Sequence, residues 1–140
     1  DPHNQDDSFT RVRIRKLMQR VEEQLGPGVS ASLARTAAIA TEVDDYLTQS
    51  ALVLIESSRV EGGFSIPVLS EAHAAVRNKA LQMLCLEAGA SSISYAHIQA
   101  VAALITNWHG QKPVSLSGIT VERVSNQLLI SQSSLKPSGA

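Results

Sequence analysis

Apolar residues recur at spacings of three and four along the first part of the chain. Ile14, Leu17, Met18, Val21 and Leu25 share one stripe; Leu33, Ala37, Ala40, Val43, Leu47, Ala51 and Leu54 share another. An α-helix turns once every 3.6 residues, so each set predicts an amphipathic helix with a buried face. Gly26-Pro27-Gly28 separates the two helices. Ser8 or Asp7 is the expected N-cap of the first, since its side-chain oxygen accepts from an orphan amide. The second is expected from Val29 or Ser30 for roughly 28 residues, about 40 Å.

Ser57 to Gly63 is polar and ends in Gly62-Gly63, the expected domain boundary. Phe64-Ser65-Ile66 alternates like a short strand. Ser70 is the expected cap of a helix that buries Ala74, Leu81, Leu84, Cys85 and Ala88 and stops at Gly89. Ser94 caps a further helix with Ile98, Val101, Ala102, Leu104 and Ile105 on its apolar side, and Trp108 near its end is expected in the core. Past Gly110 the period falls to two. Val114 and Leu116, then Ile119, Val121 and Val124, then Leu128 and Ile130 predict three strands, turned at Ser117-Gly118 and Ser125-Asn126.

The expected fold class is therefore α+β. A long N-terminal helical hairpin (residues 1–60) precedes a small domain (residues 61–132) of two helices on a short antiparallel β-meander. Residues 133–140 have the Ser, Pro and Gly content of a disordered tail.

Composition agrees with packed helices: 44% of the 140 residues are hydrophobic and only 4% aromatic. The net charge of −1 advertises no partner for the chain as a whole, so any nucleic-acid contact must be local. Such a patch exists in the first helix. Arg11 and Arg15 lie on one flank of its apolar stripe; Arg13, Lys16 and Arg20 lie on the other. Cys85, the single cysteine, has no internal disulfide partner and is expected to be a buried thiol of a cytoplasmic protein. No apolar run reaches the ~18 residues of a membrane span. The chain starts without Met and is expected to be a piece of a longer protein.

Catalytic chemistry is hard to find. The four histidines, His3, His73, His97 and His109, show no i,i+4 pairing, and one Cys completes no zinc cluster. No Gly-x-Ser-x-Gly elbow and no Walker loop occur. Asp6/Asp7 and Asp44/Asp45 are sequence neighbours on polar segments. Glu61-Gly62-Gly63-Phe64-Ser65-Ile66 lacks the preceding strand and polar residues of a nucleotide loop.

Taken in order, several stretches resemble one family. Asp1 and Asn4, a short spacer, then Arg11 and Arg15 resemble the segment that follows the catalytic domain in tRNA(Ile)-lysidine synthetases, with His3 and Val12 departing from its usual Ser and Asn. Leu33-Ala34-Arg35-Thr36-Ala37 is similar to the same family. So are Arg77 and Lys79 on their helix, and the series Gly110, Lys112, Val114, Leu116, Gly118, Val121, Arg123, Leu128 and Ile130.

The resemblance implies a role for the intact protein. ATP, with Mg, activates C2 of the wobble cytidine in a tRNA(Ile) with a CAU anticodon, and L-lysine displaces AMP to leave lysidine. This chain is expected to be the non-catalytic portion, binding no cofactor itself. Asn4, Arg11 and Arg15 would face the catalytic domain, and Arg13, Lys16, Arg20, Arg77 and Lys79 would contact tRNA. A homodimer through the surface the catalytic domain covers is also expected, and no membrane partner. The competing reading is a non-enzymatic α+β adaptor.

Overall fold

The computed structural model describes residues 2–133, with side chains from Ser8 onward. The chain divides into two compact units, Asp1–Asp44 and Asp45–Ala140.

In the first unit, α1 (Pro2–Leu25) is followed by the N-terminal part of α2 (Val29–Ser58). Gly26 and Gly28 between them adopt φ of 103° and 95°, a region other residues rarely enter. The helix α1 begins upstream of the expected caps, so Asp7 and Ser8 lie inside it. Proline explains the earlier start: Pro2 lacks an amide hydrogen that the first turn would leave unbonded anyway, and its fixed φ suits that turn. The stripe on α1 is the larger departure. Met18 and Val21 are half-buried, but Ile14, Leu17 and Leu25 are exposed, as are Leu33, Ile39 and Val43 on α2. Periodicity shows which face is apolar; no third layer among the described residues covers it.

The second unit holds a five-stranded antiparallel sheet and three helices. Its strands are β1 (Arg59–Val60), β2 (Gly63–Ser65), β3 (Val114–Leu116), β4 (Ile119–Val124) and β5 (Gln127–Gln132), in the order β1-β2-β5-β4-β3. The meander forms as expected, with Val121 opposite Ile130 and Val114 opposite Val121. Phe64 of β2 joins it opposite Leu128. Ile66 does not extend that strand. Ser65 accepts from the amide of Val68 at 3.4 Å and Pro67 sits in the first turn, so the chain turns into α3 (Ile66–Glu71).

Ser70 thus lies inside α3. His73 instead caps α4 (Ala74–Glu87), its Nδ1 accepting from the amide of Ala75 at 3.0 Å. In α5 (Tyr95–Thr106), Ser94 caps reciprocally with His97: each side chain accepts from the other's amide, at 3.1 Å. Leu69, Leu81, Val101, Leu104, Ile119, Val121 and Leu128 are fully buried between helices and sheet. A smaller cluster of Ala51, Ile55, Ala80 and Leu84 fastens the end of α2 to α4.

Gly62-Gly63 lies inside this unit: Gly62 is in the turn of the β1–β2 hairpin and Gly63 opens β2. A Cβ on Gly63 would sit 2.5 Å from the Leu128 carbonyl oxygen, closer than side-chain carbons approach, so this position requires glycine. Trp108 is not in the core: it is 41% exposed. Of the expected tail, Ser133 is held by its amide on the Gly118 carbonyl at 3.0 Å, and residues 134–140 lie outside the described residues. No helix among the described residues is long and apolar enough to cross a membrane.

Candidate nucleic-acid interface

Helical spacing gathers the basic residues of α1 into two groups. Arg13, Lys16 and Arg20, with Leu17 between them, line one open groove on the helix surface. Three and four residues separate them, which stacks their side chains on one face. All three cations are exposed. Arg11 and Arg15 are also exposed, and neither pairs with a carboxylate among the described residues. The Asn4 side chain lies outside the described residues. A groove of exposed guanidinium and ammonium groups attracts phosphate without reading bases.

The second unit treats its basic residues differently. Arg77 and Lys79, expected to contact tRNA, are half-buried. The Arg77 guanidinium turns inward. Its Nη1 donates to the Ala72 carbonyl at 2.9 Å and reaches the Ser70 carbonyl at 3.4 Å. These carbonyls end α3 and have no helical partners of their own, so Arg77 satisfies them as a C-terminal cation does. Its Nε is buried without a partner.

Arg123, which belongs to the series of residues similar to the synthetase family, organises one corner of the unit. Its Nη1 donates to the Leu104 carbonyl in the last turn of α5 at 3.1 Å, and its Nε donates to the Ser125 carbonyl at 3.0 Å. Its guanidinium carbon lies 5.1 Å from the centre of the Trp108 ring, within cation–π range. The sequence signal was available: Trp108 follows the helix by two residues, where a side chain need not enter the core.

A second cation–π pair, Arg59 over Phe64 at 5.5 Å, borders an open depression of about 280 Å³ lined also by Leu84, Glu87, Ala88 and Ile130. Glu56 takes the Arg59 Nε at 3.2 Å, which offsets the charge there.

No group of three or more His, Cys, Asp or Glu among the described residues could hold a metal. Gly62 turns the β1–β2 hairpin and Gly63 opens β2 against β5, rather than ending a strand over a phosphate. The Cys85 thiol is buried, and desolvation pushes its pKa up to about 11, which suits a core group and not a nucleophile.

The TilS substrate binding domain family matches residues 64–129, a span that includes Arg77, Trp108 and Arg123. A tRNA(Ile)-lysidine synthase of Rhodococcus erythropolis is 39% identical over 123 residues, covering 87% of this chain and 38% of the relative. Residues 64–129 thus match the TilS substrate binding domain, and the chain is similar to tRNA(Ile)-lysidine synthases over most of its length. The synthase of Leifsonia xyli subsp. xyli is 40% identical over 88% of the chain and 39% of its own length. That of Streptomyces coelicolor is 36% identical over 94% and 39%. The chain thus spans about two fifths of the length of these tRNA(Ile)-lysidine synthases.

Proposed function

We propose that this chain is the tRNA-positioning portion of a tRNA(Ile)-lysidine synthase, the ATP-dependent ligase that joins lysine to C2 of the wobble cytidine of tRNA(Ile) with a CAU anticodon. One observation carries the reading. The match to proteins of that name extends over more residues than the second unit contains, and so reaches into the basic helices as well. In this reading ATP, Mg and L-lysine belong to a catalytic portion outside the chain, and the protein works in the cytoplasm.

The chemistry of each surface suggests its task. Arg13, Lys16 and Arg20 form the phosphate-facing groove; charge of this kind holds a nucleic acid in register while leaving its sequence unread. Arg11 and Arg15, with Asn4, face the catalytic portion, where a guanidinium fork suits carboxylate or phosphate. The exposed apolar stripe beside them, from Ile14 to Leu25, is the surface that portion covers. The same stripe is where two copies of this chain would associate in its absence. Arg77 acts mainly inside the fold, and Lys79 is a secondary candidate on the same helix.

The test is made in the full-length protein with lysine incorporation into a tRNA(Ile) CAU transcript. Arg13→Glu, Lys16→Glu and Arg20→Glu together are expected to raise KM for tRNA about tenfold or more and to leave KM for ATP unchanged. An unchanged KM for tRNA would remove the groove from the interface.

A further inference from the structure

We propose that Trp108, with Arg123 and Lys112, forms a stacking site for one unpaired nucleotide of the bound RNA. The base lies on the exposed part of the indole, and its phosphate lies beside the two cations. The inference rests on the tRNA reading above and adds to it a site that recognises unstacked RNA.

Trp108 is a large apolar side chain left 41% exposed, although the core beside it is well filled. It is not a loose side chain. Arg123 lies over the ring at 5.1 Å, and that guanidinium is itself fixed by the Leu104 and Ser125 carbonyls. The loop carrying the ring is fixed too. Gln111 Nε2 donates to the carbonyls of Ala103, at 3.2 Å, and Asn107, at 2.9 Å, while its Oε1 accepts from the amide of His109 at 2.7 Å. Ring and cation are therefore set in place before any ligand arrives, which lowers the ordering entropy that binding must overcome.

Charge completes the site. Lys112 precedes β3 by two residues, and β3 pairs with β4, the strand that carries Arg123. Lys112 is exposed. Arg123 spends its hydrogen bonds on backbone carbonyls, which leave its positive charge uncompensated. No carboxylate among the described residues pairs with either cation. Glu122, the nearest in sequence, points to the other side of the sheet, opposite Leu129. The site thus offers a π-face, a fixed planar cation and an ammonium group. A nucleotide supplies the matching π-face and phosphate. A base inside a duplex cannot reach an aromatic platform, whereas one in a loop or at a single-stranded end can.

Trp108 is the only tryptophan, so it reports on its own site. The tRNA(Ile) CAU transcript is titrated into the chain, with binding followed independently by gel mobility. A fully paired RNA duplex is the control. The inference predicts saturable quenching of the tryptophan emission by tRNA, at the concentrations where mobility shifts, and little quenching by bound duplex. Trp108→Ala is expected to weaken tRNA binding about five- to a hundredfold, and Trp108→Phe much less, since its ring still stacks. Lys112→Ala should lower affinity for tRNA and reduce its salt dependence. Binding of tRNA with unchanged emission, or equal quenching by duplex, overturns the stacking site and leaves the tRNA reading intact. Absence of any mobility shift overturns both.

Discussion

Three residues do work that their types alone do not announce. Gly63 lies where any Cβ would press on the Leu128 carbonyl. Gly63→Ala is expected to destabilise the chain by about 1–3 kcal/mol through forced displacement of β5. Urea denaturation checks this, and an unchanged midpoint would show that the strands part easily. Arg77 satisfies the carbonyls at the end of α3. Arg77→Met, which keeps the aliphatic stem, should lose roughly 1–3 kcal/mol of stability by the same measurement. A variant of unchanged stability that binds tRNA poorly would return Arg77 to the interface. Cys85 adds a dependence on pH. Its pKa is raised from 9.0 to about 11 by burial, so the folded state keeps a proton that the unfolded state gives up. Its contribution is complete below about pH 9 and declines as pH rises toward 11. Cys85→Ser should flatten the alkaline limb of the stability curve, and a limb unchanged in the variant would trace it to other groups.

At the scale of elements, α5 offers the cleanest test. Ser94 and His97 cap it reciprocally. Ser94→Ala is expected to remove about 1 kcal/mol, read as a lower melting temperature. A melting temperature within error of the parent would mean that water replaces the cap. Much of this level was legible in the chain itself. The Ser94 cap, the Gly89 stop, the turns at Gly118 and Ser125-Asn126 and the strand alternation all depend on neighbours a few residues apart. The alternation misled at one local point, and the pattern was silent where long-range packing decides. Phe64-Ser65-Ile66 alternates like a strand, but Pro67 and the Ser65 cap turn Ile66 into a helix. The stripe of α1 was legible as apolar, yet its covering was not, because a period says nothing of the partner. Arg77 read as a surface charge because its carbonyl partners belong to another helix. Trp108 read as core because its size suggests burial, while its stacking on Arg123 arises only once β4 is placed.

For the whole molecule, the account assigns RNA contact to local patches on a chain of net charge −1. The phosphate groove rests on three exposed cations of α1, and the proposed stacking site rests on one corner of the small unit. Electrostatic contact of this kind releases counterions, so affinity must fall as salt rises, by roughly 0.7–0.9 in the slope of log K against log salt for each phosphate neutralised. The most direct measurement is binding of the tRNA(Ile) CAU transcript to this chain across a salt series, for the parent and for the variant carrying Arg13→Glu, Lys16→Glu and Arg20→Glu. The account predicts saturable, salt-sensitive binding by the parent, and a slope shallower by about 2 or more in the variant. No binding at low salt, or the same slope in both proteins, would contradict it.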